Sequence, residues 1–190
     1  NEAGWRENSP DRPGGGYRGS DARPCPIDRR SPFYGACVLY PFHLRNLLIQ
    51  CAVDRLVEAR WADEIHEEWI RHLVARVPAL GVERRRVTRG LMQASLPTAD
   101  VRDYARHIAH VDLPDPDDRH VVAAAITAEA SVIVTWNVTD FPQAELARYG
   151  LRREDPDTFL PNLYETAPEV VVAVAANARR NLRQSLPSSV

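Results

Sequence analysis

Four aspartates carry the chemistry that this sequence advertises. Asp115, Asp117 and Asp118 stand together in L-P-D-P-D-D-R-H, directly ahead of the small apolar run V-V-A-A-A-I-T-A. Asp140 closes V-I-V-T-W-N-V-T-D, just past the β-branched run from Val132 to Thr135. The first run reads as a buried helix and the second as a buried strand. Acids at a helix mouth and beyond a strand end converge at the carboxyl edge of a parallel sheet, where open α/β folds bind ligands. Carboxylates held together repel, so such a cluster keeps a proton or recruits a cation. Mg²⁺ takes oxygen ligands and needs only one or two protein carboxylates beside a substrate phosphate. A metal so held acidifies bound water and neutralises charge at a scissile phosphate, which suits phosphodiester hydrolysis. Taken alone, D-P-D-D is more often a helix cap and a solvated turn.

Composition narrows the field. The chain has 190 residues, 44% of them hydrophobic, enough for one well-buried domain with accessories. No apolar run approaches a membrane span and no signal-peptide core opens the chain, so a cytoplasmic protein without membrane contact is expected. Cys25, Cys37 and Cys51 are odd in number and form no C-x-x-C pair, which argues against a disulfide framework or a cysteine-zinc site. Every basic residue besides histidine is arginine. Without lysine there is no P-loop, no Schiff base and no receiver-domain site. The net charge of −2 does not advertise nucleic-acid binding, although a local basic face matters more than the total.

The elements that must position the acids can be read in turn. Residues 1–31 are dense in Gly, Pro, Arg, Asp and Ser and read as a disordered or non-native leader. A first strand runs from Phe33 to about Ala36 and into a loop closed by Pro41. Residues 44–57 place Leu44, Leu47, Leu48, Cys51, Ala52 and Leu56 on one helical face. Residues 57–61 read as a short second strand. Residues 63–77 read as a helix with Ile65, Trp69, Ile70, Leu73 and Val77 inward, and residues 82–94 as another, basic at Arg84, Arg85, Arg86 and Arg89. Residues 100–110 form a connection, residues 132–135 a central strand, and residues 150–152 a small edge strand. Thr166 to Glu169 has the capping-box pattern ahead of a terminal helix over 170–186. Helices alternating with short apolar strands predict an α/β fold with a parallel sheet.

Several segments, in order, resemble the PIN domain, and in particular the VapC-like ribonuclease toxins of type II toxin–antitoxin systems. They are A-C-V-L-Y-P with L-R-N-L-L, W-A-D-E-I-H-E-E-W, P-D-P-D-D-R-H-V-V-A-A-A and V-T-W-N-V-T-D-F-P, spanning residues 33–150. Each is weak alone; their order and spacing carry the match. The resemblance implies a three-layer α/β fold with a central, mostly parallel sheet flanked by helices. It divides the chain into the leader, a nuclease domain over 32–152 and a C-terminal helical extension over 153–190. It implies endoribonuclease activity with one or two Mg²⁺ or Mn²⁺ ions, an RNA substrate, a cognate antitoxin and a homodimer.

Carried over by position, the resemblance assigns metal ligation to Glu68, Asp118 and Asp140, with Asp117 or Asp115 as outer helpers. Asn137 would orient water or substrate, and the Thr135 hydroxyl would act similarly. The fourth acid is missing. Where the family has its first aspartate, directly before A-C-V-L-Y-P, this chain has Gly35. Asp28 lies too far upstream to substitute. A decayed gene or an engineered or selected inactivating change would leave this pattern, and survival of the other three acids favours the second. A silent PIN domain that binds RNA or an antitoxin is the rival expectation. A flap-type DNA nuclease is weaker, because the chain lacks long insertions.

Other residues invite roles. Arg45 and Arg119 could face RNA phosphates or be solvent-facing partners of carboxylates. The Arg84–Arg89 cluster could bind a phosphate backbone, or more often solvate a helix. His66 and His72 lack H-E-x-x-H spacing and read as surface or packing residues. Cys37 reads as a buried structural thiol.

Overall fold

Among the described residues, five short parallel strands form the platform. The structure, a computed structural model, describes residues 30–76 and 82–184, without the side chains of residues 82–85, 183 and 184. The leader up to residue 29, Val77 and the Arg84 and Arg85 side chains therefore lie outside the described residues. In chain order the elements are β1 (Pro32–Tyr34), α1 (Ala36–Leu39), α2 (Phe42–Val53), β2 (Trp61–Ala62), α3 (Asp63–Arg76) and α4 (Val82–Ser95). Then come β3 (Asp100–Val101), α5 (Ala105–Ile108), a 3-10 turn (Pro116–Asp118), α6 (Arg119–Thr127) and β4 (Val132–Val134). Last are α7 (Gln143–Ala147), β5 (Arg152–Glu154), α8 (Pro156–Thr166) and α9 (Pro168–Gln184).

β4 lies between β1 and β5, with Phe33 opposite Ile133 and Ile133 opposite Arg153. β2 pairs with β3, and a parallel bridge from Phe33 to Arg60 joins that pair to the edge of β1. The order is thus β3-β2-β1-β4-β5, parallel throughout. Connections leave β1 in one direction across the sheet and reach β4 in the other, so the strand order reverses between them. That switch point is where a crevice opens at the strands' carboxyl ends. Gly35 and Thr135 stand there, the residues directly after β1 and β4.

Burial explains why these segments fold as they do. Val132, Ile133 and Val134 are fully buried, covered on both faces as a β-branched run must be. Val121 to Ala125 are buried in α6, where small side chains let the helix lie close to the sheet. Each large apolar side chain so buried contributes about 1.5–3 kcal/mol. α8 and α9 share this core through Phe159, Leu163 and Val174.

Several expected boundaries are corrected. The first strand stops at Tyr34, and Ala36–Leu39 is a helical turn, not strand exit and loop. The second strand is Trp61–Ala62, with Arg60 making only the bridge. The edge strand is Arg152–Glu154, because Gly150 turns the chain with a φ of 70° just before it. The connection over 100–110 holds β3 and α5. Thr166 ends α8 and its hydroxyl donates back to the Asn162 carbonyl (2.8 Å), so it does not cap the terminal helix, which begins at Pro168.

Candidate active site

The crevice is lined by carboxylates because α3 presents one stripe to it. Glu64, Glu67, Glu68, Arg71 and His72 recur at three- and four-residue steps and line a cleft of about 550 Å³. Ile65 and Trp69 face the other way and are fully buried. The register of α3 is held from behind. Trp69 Nε1 donates to His66 Nδ1 (3.1 Å), and His66 Nε2 stands 3.8 Å from Asp100 Oδ1. Trp61 Nε1 also donates to Asp100 Oδ1 (2.6 Å) and Gln93 to its other oxygen (2.8 Å). Burial pushes the Asp100 carboxyl up, but the facing His66 ring and the hydrogen bonds from Trp61 and Gln93 outweigh it and hold the group below the ordinary carboxylate range. His66 is thus a packing residue.

The opposite wall comes from the mouth of α6. Asp115 Oδ1 accepts from the Asp117 backbone N–H (2.9 Å), and Pro116 occupies the first turn. For Asp115 the helix-cap reading therefore holds. Asp118 sits at the start of α6 but makes no side-chain capping bond. Its carboxyl is pushed up to about 6, first by burial and then by the charges of Asp115, Asp140 and Glu68, with His120 opposing. Three neighbouring carboxylates are thus felt at one atom group.

The β4 exit supplies the third wall. Thr135 is 2% exposed. Its Oγ1 accepts from the Asn137 N–H (3.0 Å) and lies 3.2 Å from Cys37 Sγ. Asn137 Nδ2 donates to Asp140 Oδ2 (2.6 Å), which fixes that carboxylate at the rim. The loop is therefore tied to both strand ends.

The structure brings Glu68, Asp115, Asp117, Asp118, Asn137 and Asp140 to one cleft. Thr135 lies beneath the loop and acts on it through hydrogen bonds. Arg45 is elsewhere: it is 5% exposed, donates from Nη1 to the Leu39 carbonyl (2.6 Å) and lies 4.7 Å over the Trp69 ring. The expectation that it faces phosphate is corrected. Arg119 does not line the cleft and points Nη2 toward Asp112 at 4.0 Å. Arg89 pairs with Asp63 at 2.6 Å. The sequence reading missed Glu64, Glu67, Arg71 and His72, which the helical step from Glu68 would have found, and His120 beside Asp118.

Gly35 has an extended backbone (φ −72°, ψ 160°) that any residue adopts. A Cβ there would meet Thr135 Oγ1 at 3.4 Å and Val134 O at 3.6 Å, ordinary contact distances. Nothing about packing requires glycine. Among the described residues no three His, Cys, Asp or Glu side chains stand together as a ready metal shell. Seven carboxylates line the walls, however, and like charges gain nothing by converging until a cation joins them. Carboxylate oxygens are the donors a hard cation takes, and Gly35, at the edge of the crevice, adds none.

An α/β fold with acids gathered at the switch point of a parallel sheet is matched by a family model. The PIN domain model covers residues 33–139, and the chain belongs to the PIN domain family. A protein of Mycobacterium tuberculosis (strain ATCC 25618 / H37Rv) named "Putative ribonuclease VapC50" is 45% identical over 58 residues. That alignment spans 29% of this chain and 34% of the relative, so about a third of the relative's length is matched. No solved structure matches.

Proposed function

We propose that this chain has the site of a divalent-metal-dependent endoribonuclease, the toxin of a toxin–antitoxin pair, impaired by Gly35. The observation that carries the reading is the cleft at the switch point, where seven carboxylates, Asp118 among them, face one another. An anionic RNA cannot approach such a cleft unless a cation first offsets the charge. The PIN family membership and the relative's printed name support RNA as the substrate class.

Glu68, Asp118 and Asp140 would hold Mg²⁺ or Mn²⁺, with Asp115 and Asp117 outside them. The ion when bound supplies charge neutralisation at the phosphate and a more acidic water. Asn137, whose side chain donates to Asp140 and whose backbone N–H donates to the Thr135 hydroxyl, would orient water or substrate. Arg71, on the α3 wall, offers positive charge to the phosphate backbone, and His72 beside it offers ring nitrogens for hydrogen bonds. Losing the carboxylate at position 35 removes a ligand next to Thr135 and is expected to cost several kcal/mol of transition-state stabilisation.

Gly35 also favours a second reading, a silent PIN domain that binds RNA or an antitoxin. A calorimetric titration with Mn²⁺ separates the two. The nuclease reading predicts binding that Asp118→Ala abolishes and Gly35→Asp tightens by tenfold or more. No binding by the chain or by Gly35→Asp would leave only the silent binder.

A further inference from the structure

We propose that a second cleft, beside the acids, is a stacking subsite for one nucleobase of single-stranded RNA, the base next to the phosphate received by the acidic cleft. The proposal rests on the ribonuclease reading above and names how that site would hold its substrate. The second cleft has a volume of about 480 Å³ and is lined by Cys37, Tyr40, Pro41, His72, Arg76 and Trp136, with Ala75. It adjoins the acids directly. His72 lines both clefts, and Trp136 precedes Asn137, which lines the acidic one.

Trp136 is the feature that calls for a ligand. Trp61 and Trp69 are fully buried, whereas Trp136 is 44% exposed. An indole left in water forgoes the free energy that its burial elsewhere provides. Its backbone is nevertheless pinned: the Trp136 N–H donates to Cys37 Sγ (3.3 Å), and its two neighbours are joined by the bond from the Asn137 N–H to Thr135 Oγ1. A ring presented from a fixed backbone has less freedom to lose on binding.

The charge pattern selects the occupant. Among the described residues, seven carboxylates line the acidic cleft and no acid lines the second one, whose basic groups are Arg76 and His72. A ligand spanning both must present charge on one side and a flat, neutral, apolar face on the other. A nucleotide within a single strand does that: its phosphate faces the cation-requiring acids and its base faces Trp136 and Tyr40. Because every base has such a face, the subsite holds the strand without choosing sequence.

The test is fluorescence anisotropy with a fluorescein-labelled single-stranded RNA of about ten nucleotides. It is run on the full chain and on Trp136→Ala and Trp136→Phe, with Mg²⁺ and with a chelator, the RNA being checked for integrity. Companion oligonucleotides carry one abasic position each. Trp136→Ala is expected to weaken binding by roughly 5- to 150-fold, the worth of one stacked base, while Trp136→Phe keeps most of the affinity. One abasic position should weaken binding to the native chain as much and leave Trp136→Ala indifferent. Equal affinity of Trp136→Ala and the native chain, with no sensitive abasic position, would overturn the subsite, leave the ribonuclease reading standing and free the cleft for a protein segment. No RNA binding by the native chain or by Gly35→Asp would overturn both.

Discussion

Asp118 is where burial and three like charges meet, and its protonation should be visible in stability. Its folded pKa of about 6 lies above the ordinary aspartate value. The folded state therefore binds the proton more tightly than the unfolded chain, so stability is greatest below the ordinary value and falls as pH rises through about 6. Asp118→Asn removes that penalty. In chelator at pH 7.5 it should raise the thermal midpoint by about 2–4 °C, on the order of 1 kcal/mol after allowance for partial exposure. The gain should vanish near pH 4, and a midpoint unchanged at both pH values would contradict the electrostatic account. Gly35 is the complementary residue. The ordinary contact distances around its would-be Cβ predict that Gly35→Asp folds with a midpoint within a few degrees of the native chain, measured in the same chelator.

At the scale of elements, the site depends on corners that hold α1 and α3 in place. Arg45, in α2, ties down the Leu39 and Tyr40 carbonyls at the end of α1 and lies over Trp69 of α3. Burial lowers its pKa to about 10, so it stays charged near neutral pH. Arg45→Met keeps the stem and loses the donors, and should destabilise by about 2 kcal/mol in urea unfolding. RNA affinity of the folded fraction should not change; a selective loss of affinity with stability intact would restore the phosphate-facing role.

The same elements show what could be read in advance. Val132–Val134 and the Ala-rich α6 were legible because buried small and β-branched runs have few alternatives. α1 was not, since A-C-V-L has the same apolar character in a strand exit as in a helical turn. β3 and α5 are two and four residues long, below any periodicity. α8 does carry a start signal in its sequence: Asp155 accepts from the Thr158 N–H (2.8 Å), with Pro156 in the first turn. That Asp118 and Asp140 meet in one cleft was legible from the strand and helix pattern, and that Glu68 and Asn137 join them, through resemblance. Arg45 misled because spacing does not reveal whether a charged side chain turns inward.

Across the whole molecule, the C-terminal helices close the core around the sheet. Asn46 Nδ2 donates to the Ala178 carbonyl (2.8 Å), Asn181 to Gln50 (2.8 Å) and Asn177 to Asp54 (2.7 Å), which clasps α9 to α2. Asn46 is buried, so Asn46→Ala leaves the Ala178 carbonyl without that donor and should cost about 1–3 kcal/mol in chemical unfolding. A neutral result would mean that α9 adds little to the fold. Among the described residues no helix is long and apolar enough to cross a membrane. The cleft at the switch point concentrates seven carboxylates on one face of the molecule, and that face is where the proposed cation would bind.

The most direct test of that cleft is RNA cleavage in Mn²⁺ or Mg²⁺ by three proteins: the native chain, Gly35→Asp, and Gly35→Asp with Asp118→Ala. The account predicts weak or no cleavage by the first, at least a hundredfold gain in the second, and loss of that gain in the third. Three inert proteins, with Gly35→Asp folded and binding Mn²⁺, would contradict it.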